Sequence, residues 1–326
     1  MAEKSWNPTL YDLAKKPNLL ASGHRLCAGC AAPVIVKLTL KAIPDPKNVI
    51  VVNATGCLEV ASTIYPYTSW RLPWIHNAFE NAAATASGVI ATFKALKRKG
   101  IWKDELPTVI VFGGDGGTYD IGIQSLSGAV ERGHKFIYVL YDNEAYMNTG
   151  IQRCSSTPKY ASTTTSPAGE VIPGKMEWKK PIGFIIAAHH NAYVATVNPY
   201  YWRDFVIKIR KAYEYDGPAF IHAISVCPRG WRHESKLTMT ISKMATETCL
   251  HPLWEFDPNT REYKVTDRSL FIAKNPDKKL PIEEYLKLQG RFRHLFKPQR
   301  RADLIEDIQK RVDKEWEHLL RLAGLR

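Results

Sequence analysis

Three apolar, β-branched runs dominate the first half of the sequence: Asn48 to Asn53, Thr108 to Phe112 and Phe136 to Tyr141. Each stops at turn-forming or polar residues, the pattern of strands buried on both faces of a parallel sheet. Between them lie two segments of helical character, Phe79 to Arg98 closed by Lys99-Gly100, and Ile121 to Arg132 closed by Gly133. Strand, helix, strand with connections of this length restricts the chain to an α/β fold, a mostly parallel sheet with helices on both faces. The pattern breaks at Ser155 to Lys175, a Ser-, Thr-, Pro- and Gly-containing loop whose length inside a compact domain points to function. Beyond it the sequence predicts a helix over Gly183 to His190, a strand over Ala192 to Val197, a helix over Trp202 to Tyr215 and a strand over Ala219 to Val226. From Cys249 the composition turns polar and basic, with a hairpin near Asp257 to Thr266 and a helix from Arg301 to Leu322. The expected division is an α/β domain over 1–248 and a C-terminal extension over 249–326 that serves subunit contacts.

With 326 residues, 45% of them hydrophobic and 24% charged, the chain is globular, and disordered or collagen-like architectures are excluded. No run approaches the roughly 18 apolar residues of a membrane-spanning helix. Met1 to Lys16 is charged where a signal peptide would be apolar, so a cytoplasmic protein without a membrane span is expected. Lys and Arg outnumber Asp and Glu by 45 to 32, a net charge of +13 that fits nucleic acid, an anionic cofactor or an acidic partner. No recognised nucleic-acid module accompanies it. Six cysteines are too few for a disulfide scaffold.

Gly113-Gly114-Asp115-Gly116-Gly117 directly follows one buried run and precedes a helix. Glycines there let the backbone approach a phosphate, and the helix N-terminus offers free N–H groups to an anion. An aspartate would repel that anion unless a divalent cation stood between them, and Mg²⁺ is held in this way by one or two carboxylates plus phosphates. Asp142-Asn143-Glu144-Ala145, at the end of the next strand, is placed to complete such a site. The plain alternative is a pair of tight turns ending buried strands.

Cys27-Ala28-Gly29-Cys30 follows no strand and opens a helix, which disfavours a thioredoxin-like motif. Cys57, after Thr55-Gly56, and Cys227, before Pro228, follow strand ends where ligand loops gather in open α/β folds. Four such cysteines suit structural zinc or an iron–sulfur cluster equally. Cys154 and Cys249 read as small buried thiols without a role.

Taken in order, these segments resemble the β subunit of 2-oxoacid:ferredoxin oxidoreductases, most nearly the pyruvate-type enzymes built from separate subunits. The resemblance runs from Gly23-His24-Arg25-Leu26-Cys27-Ala28-Gly29-Cys30 through Ala54-Thr55-Gly56-Cys57 and Pro73-Trp74-Ile75-His76-Asn77-Ala78-Phe79-Glu80-Asn81 to the Gly-Asp-Gly loop. It continues through Tyr141-Asp142-Asn143-Glu144-Ala145-Tyr146-Met147-Asn148-Thr149-Gly150, Gly217-Pro218-Ala219-Phe220 and Cys227-Pro228. The spacing from Gly114 to Asn143 matches the diphosphate and Mg²⁺ motif of thiamine diphosphate enzymes. The resemblance implies a thiamine diphosphate-binding fold, with Gly114, Gly116 and Gly117 under the diphosphate and Mg²⁺ on Asp115, the Asn143 side-chain oxygen and the Ala145 carbonyl. It implies that Asn148 lies beside the reacting carbon, and that Cys27, Cys30, Cys57 and Cys227 ligate one [4Fe–4S] cluster.

The activity so implied is oxidative decarboxylation of a 2-oxoacid to an acyl-CoA and CO₂, with electrons passed one at a time through the cluster to ferredoxin. In this family the glutamate that activates the aminopyrimidine lies on a separate α subunit, so the chain alone is catalytically incomplete. No ferredoxin-type cysteine run is present, so outward electron transfer requires a ferredoxin-like δ subunit beside α and γ. Ala31-Ala32 follow Cys30 where pyruvate-type relatives commonly carry Gly, which leaves aryl glyoxylate, branched-chain oxoacids or oxalate as alternative substrates. A basic zinc-binding nucleic-acid protein is the alternative from another class. Glu59 reads as a structural neighbour of the Cys57 loop and Glu80 as a carboxylate at a helix start. His24, His76, His189 and His190 read as structural, and Tyr65 to Trp74 as core or subunit interface.

Overall fold

The computed structural model describes residues 6–326, so the charged stretch from Met1 lies partly outside the described residues. Its strands are β1 (Val49–Ala54), β2 (Trp74–Asn77), β3 (Thr108–Gly114), β4 (Phe136–Asp142), β5 (Tyr193–Val197), β6 (Ala219–Ile224), β7 (Trp254–Asp257) and β8 (Glu262–Val265). They form one sheet in the order β2-β1-β3-β4-β6-β5-β7-β8. β1 to β6 pair in parallel, whereas β7 joins β5 and β8 joins β7 antiparallel. The three apolar runs are β1, β3 and β4, neighbours at the centre, and every residue of β4 is buried.

Alternation along these strands divides the core into two layers. Val52, Val111, Tyr138 and Phe220 face the helices Ala82–Arg98, Ile123–Glu131 and Ile182–Ala187 and the end of Ala302–Leu322. Val51, Ile110, Val139 and Ile221 face Ala32–Ala42 and Trp202–Glu214. Both faces are covered, which is why the strands read as continuous apolar runs. A third cluster, with Trp231, Ile241, Tyr285 and Phe292 at its heart, builds most of the C-terminal part.

Several expectations shift. The edge strand β2 is half-buried and has no apolar run of its own, so it falls at the end of what reads as an aromatic stretch. Within that stretch Trp70 is buried, its ring centroid 5.8 Å from that of Phe112, while Tyr65 and Tyr67 are exposed. The helix expected over Gly183 to His190 is Ile182–Ala187, and His190 lies beyond it at φ 61°. The helix expected from Ile121 starts with a π-helical turn, Gly117–Ile121, so helical backbone begins at the glycine loop itself. Residues after 249 return β7 and β8 to the sheet and lay the helix Ala302–Leu322 on it. Among the described residues no helix is long and apolar enough to cross a membrane.

This topology positions the site. β1, β3, β4 and β6 are consecutive in space and point the same way, so the residues that follow them share one edge of the sheet. Those residues are Cys57, Asp115, Asn143 and Cys227. Ligands bind outside the carboxyl ends of strands in open α/β sheets for this reason.

Candidate functional site

At the end of β3 the chain turns into its helix so tightly that Gly116 and Gly117 have no room for side chains. A Cβ on Gly116 would stand 2.1 Å from the Tyr146 ring, and one on Gly117 would stand 2.7 Å from the Phe79 carbonyl oxygen. Tyr146 fixes the turn by donating its hydroxyl to the Gly116 carbonyl at 3.0 Å. A narrow cleft opens over this turn, lined by Gly114, Asp115, Gly116, Gly117, Asn143 and Ala145 together with Cys57 and Asn148. Backbone N–H groups at the start of a helix face such a cleft as an anion cradle.

The Asn143 side-chain amide lies 3.0 Å from Asp115 Oδ1 and 2.9 Å from the Ala145 carbonyl oxygen. As NH₂ it donates to both; turned the other way, its oxygen stands between those of Asp115 and Ala145, the donor types Mg²⁺ takes. Between Asn143 and Ala145, Glu144 adopts the left-handed conformation, φ 68°, an unusual state for a non-glycine residue. It is held there by Lys179 Nζ at 3.1 Å and by Arg291, which pair with its carboxylate, and by Thr157 Oγ1, which donates to its carbonyl at 2.8 Å.

Two buried carboxylates border this point. Burial alone would raise both, yet Lys179 and His222, each 2.7 Å from Asp142 Oδ2, hold Asp142 below the usual carboxylate range. Among the described residues Asp115 has no cation in contact; burial, then the Asp142 charge, push it well up, and the Cys154 thiol donating to Oδ2 at 3.1 Å only partly offsets them. A buried carboxylate without a contacting cation, its Oδ1 turned to the Asn143 amide, fits a divalent cation.

The Cys27–Cys30 turn is seated by side chains from the segment after Cys227. Ser235 Oγ donates to the Ala28 carbonyl at 2.9 Å, and Thr238 Oγ1 donates to that of Gly29 at 2.6 Å. Gly29, at φ 79°, lies so close that a Cβ would be 2.8 Å from the Ser235 backbone. Ala31 N–H donates to the Val226 carbonyl at 3.2 Å, tying the turn to the end of β6. Cys27, Cys30, Cys57 and Cys227 are all free thiols, Cys27 exposed and the others half-buried. Burial, then the neighbouring Cys227 and Cys27, push the Cys30 thiol up to about 12. Burial, then Cys227, Cys30 and Cys27, do the same to Cys57. Among the described residues no group of three or more His, Cys, Asp or Glu side chains stands in finished ligating geometry. The donor chemistry nevertheless fits a cationic centre, since thiols that raise one another ionise together only when a metal compensates their charge.

Asn148 lies exposed at the mouth of the cleft. His76 meets Thr55 Oγ1 at 2.7 Å and Glu59 at 3.8 Å, a local clasp beside the Cys57 loop. Reading along the sequence misses Cys154, His222, Lys179, Trp231 and Arg291. Trp231 donates its indole N–H to the Asn143 carbonyl at 2.7 Å, and the Arg291 guanidinium lies 4.0 Å from the Trp231 ring centroid.

Residues 54–223 match the family described as thiamine pyrophosphate enzyme, C-terminal TPP binding domain. The pyruvate synthase subunit PorB of Thermotoga maritima is 50% identical over 310 residues, covering 94% of this chain and 93% of its own. PorB of Methanocaldococcus jannaschii is 51% identical over 296 residues, 90% of this chain and 94% of that one. The ketoisovalerate oxidoreductase subunit VorB of Pyrococcus abyssi is 42% identical over 303 residues, 93% and 92% of the two chains. The solved 2-oxoglutarate:ferredoxin oxidoreductase from Magnetococcus marinus superposes with a TM-score of 0.50 at 20% identity over 70% of this chain and 78% of that chain, a likeness of fold. The chain belongs to the thiamine pyrophosphate-binding β subunits of the 2-oxoacid:ferredoxin oxidoreductase family.

Proposed function

We propose that this chain is the β subunit of a pyruvate:ferredoxin oxidoreductase, acting in the cytoplasm with an α subunit that carries the pyrimidine-binding domain, a γ subunit and a ferredoxin-like δ subunit. Coenzyme A is the acyl acceptor and ferredoxin the electron acceptor. The observation that carries the reading is the Asn143 amide standing 3.0 Å from Asp115 Oδ1 and 2.9 Å from the Ala145 carbonyl at one sheet edge, in a cleft that Cys57 also lines. Identity of 50% with PorB of Thermotoga maritima supports pyruvate as the substrate.

In this reading Asp115, Asn143 and Ala145 hold Mg²⁺, and the Gly114 to Gly117 turn receives the diphosphate. Cys27, Cys30, Cys57 and Cys227 hold one [4Fe–4S] cluster. When bound, thiamine diphosphate supplies the electron sink for decarboxylation and the cluster accepts electrons singly. The chain's own part is positional. Tyr146 and Phe79 close the turn against the cleft, Asn148 orients substrate through its amide, and the 235–238 segment fixes the cysteine turn that neighbours β6.

Metal analysis of the anaerobically purified complex is expected to find iron and sulfide in the β subunit, with Cys27→Ser losing or converting the cluster. Zinc in their place, or unchanged iron in that variant, overturns the assignment. The 42% identity to VorB of Pyrococcus abyssi favours a branched-chain 2-oxoacid as the second reading. Turnover of the complex with pyruvate, 2-ketoisovalerate and 2-oxoglutarate separates the two, and highest kcat/KM on the branched acid would replace pyruvate.

A further inference from the structure

The strand ends that carry Asp115 and Asn143 are also braced from a third segment. A single run, Cys154-Ser155-Ser156-Thr157, reaches both loops, each side chain bonding a different acceptor. Cys154 Sγ donates to Asp115 Oδ2 at 3.1 Å, and Ser155 N–H donates to Asp120 Oδ2 at 3.0 Å, with its hydroxyl on the other oxygen. Ser156 Oγ donates to Asp142 Oδ1, and Thr157 Oγ1 donates to the Glu144 carbonyl at 2.8 Å. The run is itself braced, since Cys154 N–H donates to Thr157 Oγ1 at 3.0 Å and Lys175 Nζ caps the Thr157 carbonyl at 2.6 Å. Cys154, Ser156 and Thr157 are 1%, 0% and 0% exposed, so these bonds do not compete with water.

We infer that Cys154 is a positioning residue for the metal-binding carboxylate: its thiol occupies Asp115 Oδ2, fixes the carboxylate rotamer and leaves Oδ1 facing the Asn143 amide. This rests on the reading of Asp115 as a Mg²⁺ ligand. A carboxylate has two oxygens and turns freely about its last torsion; a donor on one oxygen selects which of them the cation meets. Partners that orient a metal ligand in this way are worth about 10–100-fold in metal affinity. The bond needs a short donor in a tight buried space. Serine keeps a donor of nearly the same reach, and alanine keeps the space but removes the donor.

The test is Mg²⁺-dependent retention of thiamine diphosphate by the purified complex, measured as cofactor bound at equilibrium across a Mg²⁺ titration, alongside thermal unfolding without cofactor. Cys154→Ala is expected to raise the half-saturating Mg²⁺ concentration about tenfold or more. Cys154→Ser is expected to stay within about twofold of the parent, because a hydroxyl donates to Asp115 as well. A merely structural cysteine predicts the reverse sensitivity, since alanine is the better apolar filler and serine the worse. Cys154→Ala within about twofold of the parent, or Cys154→Ser as impaired as Cys154→Ala, overturns the inference. If Cys154→Ala does not fold, the S–H stretching band that disappears in parent minus Cys154→Ser infrared spectra decides. Displacement of that band on Mg²⁺ addition supports the thiol-to-carboxylate bond, and a band that does not respond overturns it. No Mg²⁺ dependence in the parent overturns the ligand reading of Asp115 itself, an outcome distinct from equal affinities in parent and variants.

Discussion

Asp115 and Asp142 end adjacent strands, are both buried, and sit in opposite electrostatic circumstances. Burial works against the ionised form of each. At Asp142, Lys179 and His222 outweigh it; at Asp115 nothing comparable stands near among the described residues, and Asp142 adds to the burden. Strain of this kind at a site is stabilised by the ligand and is a cost without it. Asp115→Asn is therefore expected to make the cofactor-free protein more resistant to denaturant while abolishing Mg²⁺-dependent retention of thiamine diphosphate and leaving iron content unchanged. Equilibrium unfolding, cofactor binding and metal analysis read the three quantities. A variant less stable than the parent would show that Asp115 is satisfied by the protein alone. Asp115 stands out in the sequence because a carboxylate among glycines has few structural uses. Cys154 does not, because its acceptor lies 39 positions away along the chain.

Among the elements, the short helix Pro228–Trp231 links the two halves of the site. Cys227 caps its start, with Sγ accepting from Gly230 N–H at 3.4 Å, and Trp231 at its end donates to the Asn143 carbonyl. A Cβ on Gly230 would stand 2.2 Å from Met147 Sδ, so the helix lies directly on the loop that follows β4. Trp231→Phe keeps most of the ring and its contact with Arg291 but leaves a buried carbonyl without its donor. The expected loss is about 1–3 kcal/mol in denaturant unfolding, with a higher Mg²⁺ requirement for thiamine diphosphate. A change under about 0.5 kcal/mol, the range of neutral surface substitutions, would mean that the carbonyl is satisfied otherwise. Elements with long, doubly buried apolar runs were readable in advance. β2 was not, because four half-exposed residues at a sheet edge carry neither a run nor an alternation.

At the scale of the whole molecule, the hairpin β7–β8 completes the sheet, and Glu255 clamps it to the parallel core. Tyr193 donates its hydroxyl to Glu255 Oε2 at 2.7 Å, and Lys211 pairs with Oε1 at 2.6 Å. Burial would raise this carboxylate, but the bonds from Lys211 and Tyr193 outweigh it and hold it below its ordinary value of 4.5. A group whose folded pKa is depressed stabilises fully above the unfolded value, and its contribution fades as pH falls through the folded one. The stability gap between the parent and Glu255→Gln is therefore expected to be largest near about pH 7 and to shrink below the ordinary glutamate value. Urea unfolding across that range measures it. A gap that stays constant with pH would assign the effect of Glu255 to packing rather than charge.

What the sequence determined by itself is local in origin. Three buried strand runs, the glycine loop with its aspartate, the Asn143 segment and the spaced cysteines are recorded in neighbouring residues, and their order along the chain carries the family resemblance. From the parallel reading it follows that strand ends meet on one edge, which brings Cys57, Asp115, Asn143 and Cys227 together. The tertiary structure alone decided which side chains complete that edge. Lys179 and Arg291 pass for part of a diffuse +13 surplus until folding pairs them with Asp142 and Glu144. Cys154 passes for an inert thiol until the loop after β4 returns it to Asp115. Hydrophobic period and turn chemistry act over a few residues and leave a trace in the sequence. The pairing of buried polar groups is settled by distance in space, which the one-dimensional order does not record.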